Sequence, residues 1–414
     1  MKHPLLAIPE AYHRGEHLGI TSVCSAHPLV IEAALRLAKR QDSHVLIEAT
    51  CNQVNQDGGY TGMTPAAFRQ LVEGIADKVG LDNRKIVLGG DHIGPSPWKD
   101  LPAERAMAKA EALIAAYAQA GFTKLHLDTS MGCMGERVAL ADAETAERAA
   151  RLAETAEMNK GVQPPVYVIG TEVPVPGGAT SALDDLDVTA PDAVARTHDV
   201  HGSAFRSRGL DDAFARVIAL VVQPGVEFDH THVTHFDAGK AQALAATLAN
   251  YPGLVFEAHS TDYQSCEGLR ALVGNGFAIL KVGPWLTFAL REALYALDAI
   301  ADVLHGYPPK GELMTAMEDV MTAAPGNWEN YYKGDDNELW LQRHFSYSDR
   351  IRYYWPTPAA ESAVSRLMAR LAGTQVPATV VGQYLPHGTG TNAEEILLAA
   401  IELILRKYEA ACTG

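Results

Sequence analysis

The residues best suited to chemistry are acids and imidazoles that close short apolar runs. Asp91 and His92 follow Ile86-Val-Leu-Gly-Gly and precede Ile-Gly-Pro-Ser-Pro, a turn stiffened by prolines. His126 with Asp128, and Glu257 with His259, are spaced two apart at the ends of other apolar runs. Two residues is the side-chain period of a strand, so each pair shares a face. Glu48, Glu172, Gln223 and Lys281 end further runs, and Glu227, Asp229 and His230 lie just beyond Gln223. Charged and imidazole groups are costly in an interior unless paired or bound to metal. One such residue is readily explained by helix capping or packing; a series at successive run ends predicts one shared polar site. Two imidazoles and a carboxylate with an open position suit Zn²⁺ first, with Mn, Ni or Co as alternatives. The expected ligands are His92, Glu172 and His259, with His230 as a fourth candidate and His232 and His235 as its rivals. Asp91, Asp128, Glu48 and Asp262 are the acid/base candidates; a metal nearby favours the carboxylate and burial the neutral acid. Ser25, Asn52, Gln53, Gln223 and Lys281 are the expected substrate contacts. Lys281 can form a Schiff base, but an ion pair with an acid such as Glu257 is the favoured reading. Such a site can polarise a carbonyl or paired hydroxyls while a carboxylate moves the proton, the chemistry of sugar aldolases, isomerases and epimerases. The chain has no Walker loop and no kinase signature, which argues against phosphoryl transfer.

Eight strand-like runs must position these groups: 19–25, 44–50, 85–91, 124–130, 166–172, 215–223, 254–260 and 278–283. Helical stretches separate most of them, at 28–40, 103–120, 140–160 and 240–250. Strand–helix alternation gives a parallel sheet, and eight repeats close into an α/β (β/α)8 TIM barrel. An open doubly wound sheet is the runner-up, but no Gly-x-Gly-x-x-Gly turn opens the first helix. Two polar, Gly-rich or Pro-rich stretches, 52–63 and 173–200, fall where barrel strands end and active sites are built. The barrel is expected over residues 1–306 and a C-terminal helical extension over 307–414. Within that extension, helices are expected at 311–324, 359–371 and 393–408, with an aromatic, charged loop at 328–355. The Arg- and aromatic-rich segment of that loop, 348–356, reads first as a packing corner and second as a cap over substrate.

Composition narrows the partners. The 414 residues carry a formal net charge of -16, which argues against nucleic acid or an anionic membrane. Cys24, Cys51, Cys133, Cys266 and Cys412 show no paired spacing, so neither a zinc ribbon nor a disulfide framework is indicated. The apolar stretch at the start is too short for a signal peptide, and the expectation is a cytoplasmic protein with reduced thiols.

Several long motifs resemble one family. They include Gly19-Ile-Thr-Ser-Val-Cys-Ser, Val45-Leu-Ile-Glu-Ala-Thr-Cys-Asn-Gln and Gly58-Gly-Tyr-Thr-Gly-Met-Thr-Pro. Gly89-Gly-Asp-His-Ile-Gly-Pro, Ile169-Gly-Thr-Glu-Val-Pro, Glu257-Ala-His-Ser-Thr-Asp-Tyr-Gln and Leu280-Lys-Val-Gly-Pro belong with them. Over nearly its whole length the chain resembles the GatZ/KbaZ family, with differences at His27 and Cys51 beside the first two strand ends. The resemblance implies a TIM barrel related to class II aldolases, in which Asp91 matches an acid/base and His92 a metal ligand, with Glu172 and His259 at matching strand ends. It also implies two functions. One is a divalent-metal-dependent epimerase inverting C4 of a ketose of the D-tagatose/D-fructose type, by retro-aldol cleavage or proton exchange. The other is a non-catalytic stabilising subunit of class II D-tagatose-1,6-bisphosphate aldolase. A helper needs no complete ring of acids and imidazoles, so the ring favours the enzyme. The expected partners are a ketose or ketose phosphate, further copies of the chain in a homo-oligomer and, in the helper reading, an aldolase catalytic subunit.

Overall fold

The computed structural model describes residues 2–170 and 186–413. Its strands, in chain order, are β1 (Ile20–Cys24), β2 (Val45–Thr50), β3 (Ile86–Ile93), β4 (Lys124–Leu127), β5 (Val166–Ile169) and β6 (Val217–Val222). They continue with β7 (Glu227–Phe228), β8 (Val233–Thr234), β9 (Val255–Ala258) and β10 (Ile279–Val282). Eight of these close a barrel in the order β1-β10-β9-β6-β5-β4-β3-β2, every pairing parallel, while β7 and β8 form a separate antiparallel hairpin after β6. The TIM barrel expected from the alternation is therefore present. All six residues of β6, Val-Ile-Ala-Leu-Val-Val, are buried, because a barrel strand faces the interior on one side and helices on the other.

Helix starts follow local chemistry. Proline occupies the first position of helices Pro28–Gln41, Pro65–Val79, Pro191–Ser207 and Pro284–Leu304, where its missing N–H costs nothing. The loop expected at 328–355 instead contains helix Asp336–Phe345, which opens with a capping box between Asp335 and Glu338. Among the described residues, no helix is long and apolar enough to cross a membrane.

The last helix, Ala393–Cys412, packs between helices Pro28–Gln41 and Cys266–Gly274 and so takes a place in the ring around the barrel. Its far end is tied to the entry of β1: Gly19 N–H donates to the Cys412 carbonyl at 2.8 Å. Tyr408 Oη donates to the Thr261 carbonyl at 2.7 Å, at the other end of the barrel wall. Ile396, Leu397, Ile401, Ile404, Leu405 and Tyr408 line one face of this helix and join the same apolar core as Leu290 and Leu294.

The paired glycines of β3 are not the end of the strand. β3 runs on through Asp91 and His92 to Ile93, with a register shift against β4 between Gly90 and Ile93. A Cβ on Gly89 would lie 2.5 Å from Glu48 Oε1, and one on Gly94 only 1.7 Å from the Asp128 carbonyl oxygen. The glycines are thus clearance for neighbouring chain. The irregularity falls on His92, a non-glycine residue at φ 49°. Such strained geometry concentrates at functional sites.

Candidate active site

β3, β4 and β9 carry three imidazoles to one point. The ring centroids of His92, His126 and His259 form a triangle with sides of 5.0, 5.1 and 5.2 Å. Each ring is braced by a carboxylate through one nitrogen. His92 Nδ1 lies 2.8 Å from Asp128 Oδ2, His126 Nδ1 2.8 Å from Asp91 Oδ1, and His259 Nε2 3.1 Å from Glu257 Oε1. A carboxylate on one ring nitrogen fixes the tautomer and leaves the other lone pair available, the usual arrangement behind a metal-binding histidine. His126 Nε2 is fully buried and has no hydrogen-bond partner among the described residues. One ligand atom from each of Asp91, His92, His126 and His259 falls within 4.8 Å of the others, so this group can hold a metal ion.

A second group of potential donors fits an ion less well. Cys24, Glu48 and Asp91 also approach one another. However, burial pushes the Cys24 thiol well above its ordinary value, so it is not a thiolate. Glu48 is meanwhile occupied by two ammonium groups, those of Lys281 and Lys124. The imidazoles are the better donors. Burial holds His259 down to about 4, so it is neutral near pH 7 with a free lone pair. His92 is raised despite its burial, because Asp91 and Asp128 favour the imidazolium; a bound ion would have to displace that proton.

Beneath the imidazoles lies a buried ionic lattice. Lys124 Nζ sits 2.6 Å from Glu48 Oε1 and 2.5 Å from Glu257 Oε2, with all three side chains inaccessible to solvent. Lys281 pairs with Glu48, Asp91 and, at 3.5 Å, Glu257 Oε1. Burial would raise Glu257, but Lys124 and Lys281 outweigh it and hold that carboxylate well below its ordinary value. Burial would likewise lower Lys281, yet Asp91 and its neighbours hold it well above the lysine range. A lysine so firmly protonated is a poor amine nucleophile.

The group opens on a cavity of about 680 Å³ at the C-terminal end of the barrel. Asp91, His92, His259, Asp262 and Lys281 line it, as do the expected substrate contacts Ser25, Asn52 and Gln53. Asp262 accepts from the N–H groups of Gly283 and Trp285 at 3.1 and 2.8 Å, yet burial raises it to about 6.

Not every expected residue arrives there. Glu48 and Asp128 lie behind the cavity wall, Glu48 against the lysines and Asp128 against His92 and Ser130 Oγ. Gln223 does not line the cavity. Its Oε1 accepts from Gly225 and Val226 N–H at 2.8 and 2.9 Å, closing the turn after β6. His230 stands apart from the three imidazoles, with Nδ1 3.1 Å from Ser346 Oγ and its ring against Tyr332. His232 and His235 are exposed. Glu172 lies outside the described residues. Three contributors had no role assigned from the sequence. His126 had a visible signal, since it shares a face with Asp128 two residues on; Lys124 had none, because a lysine at a strand start reads as surface. Glu227 is the third, a buried acid that burial raises to about 7 beside Ser260 and Asp262.

Residues 5–413 match the model of a family described as D-tagatose-1,6-bisphosphate aldolase subunit GatZ/KbaZ-like. The chain belongs to this family. The chain is also similar to D-tagatose 6-phosphate 4-epimerase of Agrobacterium fabrum, 53% identical over 409 residues, covering 97% of this chain and 96% of the relative. A crystal structure from Sinorhizobium meliloti 1021, described as a probable tagatose 6 phosphate kinase, superposes with a TM-score of 0.89 at 56% identity. That match covers 95% of this chain and all of the solved one.

Proposed function

We propose that this chain is a divalent-metal-dependent ketose 4-epimerase interconverting ketoses of the tagatose and fructose type. The observation that carries the proposal is the trio His92, His126 and His259, each braced by its own carboxylate, with His92 and His259 lining a sugar-sized cavity and His126 fully buried against them. The name of the Agrobacterium relative supports the same reaction class. His92, His126 and His259 would hold the ion, with Asp91 within reach. When bound, such an ion supplies Lewis-acid polarisation of a carbonyl or hydroxyl oxygen.

The substrate's own chemistry limits the route. In a 2-ketose the C4 hydrogen is one carbon too far from the carbonyl for its loss to give a stabilised enolate. The C4 hydroxyl, however, is β to that carbonyl, so the C3–C4 bond can break by retro-aldol cleavage. The hydroxyl gives up its proton, C4 becomes an aldehyde carbon and the bonding pair passes to the enolate of the three-carbon ketone fragment. Rotation of the aldehyde and re-addition to its other face return the proton and invert C4. Two carboxyls on the cavity wall suit the two proton transfers. Asp91 is held ionised, because Lys281 and the imidazoles outweigh its burial, and is the acceptor; Asp262, at about 6, can carry and return a proton. Lys281 keeps a fixed positive charge beside Asp91 where negative charge develops.

The deciding experiment follows D-tagatose 6-phosphate and D-fructose 6-phosphate by NMR in D₂O, using the purified chain with Zn²⁺, Mn²⁺, Ni²⁺ or chelator. Metal-dependent interconversion without deuterium at C4 is the expected result. Interconversion with deuterium at C4 would replace retro-aldol cleavage by proton exchange. No turnover would favour the second reading, a stabilising subunit of an aldolase, in line with the word subunit in the family description.

A further inference from the structure

The segment after the barrel supplies one wall of the cavity: Arg352, Tyr353 and Trp355 line it, together with Tyr60 from the loop after β2. The Tyr60 and Tyr353 rings meet edge to face at 4.8 Å. This wall is clamped. Asp349, at φ 46°, begins the turn Arg350–Tyr353 and is held by Thr287 Oγ1 at 2.6 Å and Arg291 Nε at 3.2 Å.

Arg352 is the notable member. Its Nη1 donates to the carbonyls of Asp349, at 3.1 Å, and Ser348, and its Nη2 donates to Tyr353 Oη at 3.0 Å. Among the described residues it forms no ion pair with a carboxylate, and the nearby Asp349 is already engaged by Arg291. Arg350 is in the same position, stacked 3.3 Å over Tyr331 and donating to the Asn327 carbonyl. Lys281, the other cation on the cavity wall, is by contrast neutralised by Glu48 and Asp91. Asp262 on the same wall feels the Arg352 charge but forms no ion pair with it, so among the described residues Arg352 is a cavity cation without a carboxylate in contact. Tyr353 reports it: burial would raise its hydroxyl, yet Arg352 and Arg350 hold it below the ordinary value. A half-buried guanidinium with no counterion gains most when an anion arrives, and its planar fork matches phosphate oxygens.

We propose that Arg352, with the Tyr353 hydroxyl, is a phosphate subsite that makes this chain select ketose phosphates over free ketoses. The proposal rests on the ketose reading above and deepens it by assigning the residues that recognise the phosphate of a substrate such as the one the Agrobacterium relative is named for. One cavity of about 680 Å³ holds both Arg352 and the reacting group at His92 and Lys281, so a single sugar phosphate can occupy both ends. Contacts to the non-reacting phosphate then hold the ketone end in place.

The test is a calorimetric titration of the metal-loaded full-length chain with D-tagatose 6-phosphate, D-tagatose and inorganic phosphate, for the parent, Arg352→Gln and Arg352→Lys. The parent should prefer the phosphorylated sugar, and Arg352→Gln should cut that preference about ten- to a hundred-fold. Arg352→Lys should recover part of it. The ratio of kcat/KM for the two sugars should fall in parallel, and inorganic phosphate should compete with the phosphorylated sugar in the parent only. Equal weakening of both sugars in Arg352→Gln, an unchanged preference, or a parent with no preference would each overturn the subsite. A parent that binds the phosphorylated sugar through Arg352 without converting it would overturn the epimerase reading and leave the subsite standing. Should Arg352→Gln fail to fold, competition by inorganic phosphate in the parent and the Arg352→Lys preference decide the matter, and no effect in either overturns it.

Discussion

His126 Nδ1 lies 2.8 Å from Asp91 Oδ1, while its other ring nitrogen, fully buried, meets no hydrogen-bond partner among the described residues. An unpartnered buried imidazole nitrogen is expensive. Two further imidazoles around it, each with its own carboxylate, form with it a group that could hold a metal ion.

Replacing His126 by Ala should therefore remove bound metal and turnover together, as should His92→Ala and His259→Ala. Metal content by mass spectrometry after gel filtration checks this. Stoichiometric metal in His126→Ala would exclude it as a ligand.

Asp128 works one step back. It accepts from His92 and from Ser130 Oγ at 2.9 Å and does not line the cavity. Asp128→Asn should keep the fold and weaken metal binding by roughly 10–100-fold. A competition titration with a chelating dye measures it, and an unchanged affinity would make the Asp128 contact structural only.

Lys281 should not form a Schiff base. Its ammonium is buried against Glu48, Asp91 and Glu257, which stabilise the charged form over the free amine. Borohydride with the ketose should leave it unlabelled in peptide mass spectra. Lys281→Met strands buried carboxylates and should cost roughly 3–5 kcal/mol in denaturant unfolding.

Two raised acids set a pH dependence. Asp262 titrates at about 6 and Glu227 at about 7 in the folded chain, against ordinary values of 3.8 and 4.5, and burial is the main cause of both shifts. A raised folded value means the native state binds the proton more tightly than the unfolded chain does. The stability that goes with it is present below the ordinary value and lost as pH rises through the folded one. Glu227→Gln should consequently gain on the parent between about pH 4.5 and 7 and hold that gain above. Chemical denaturation at several pH values reads the sign, and a gain confined to low pH would contradict the burial argument. In activity, a limb of the pH–rate profile near 6 should disappear in Asp262→Asn.

Gly94 is fixed by clearance: a Cβ there would meet the Asp128 carbonyl at 1.7 Å. Backbone cannot yield as a flexible side chain does, so Gly94→Ala should destabilise by more than about 4 kcal/mol, an exceptional value for a point change. Its urea midpoint checks this against Gly74→Ala in helix Pro65–Val79, where the added Cβ meets nothing within 4 Å.

Much of the barrel could be read directly because its signals are local. Apolar runs of four to eight residues, the prolines that open helices, and the two-residue spacing in Glu257-Ala-His259 and His126-Leu-Asp128 survive in one dimension. They suffice for a parallel barrel whose strand ends gather acids and imidazoles. Partner choice is a different matter, since it depends on residues far apart in the chain. His230 and His126 look alike as residues beside strands, yet β4 carries His126 beside His92 while the turn after β7 carries His230 to Ser346. Gln223 ends a barrel strand as Asp91 nearly does, but its amide closes its own turn instead of facing the cavity. Lys124 is legible only once the barrel closes, because Glu48 and Glu257, from strands not adjacent to β4, meet it in the interior. Arg352 reaches the cavity because the C-terminal helices fold back along the barrel wall and share its core. The sequence by itself determined which groups are present and on which strand ends they stand. Only the tertiary structure decided which of them pair, because ion pairing and metal ligation act over a few ångströms of space and not along the chain.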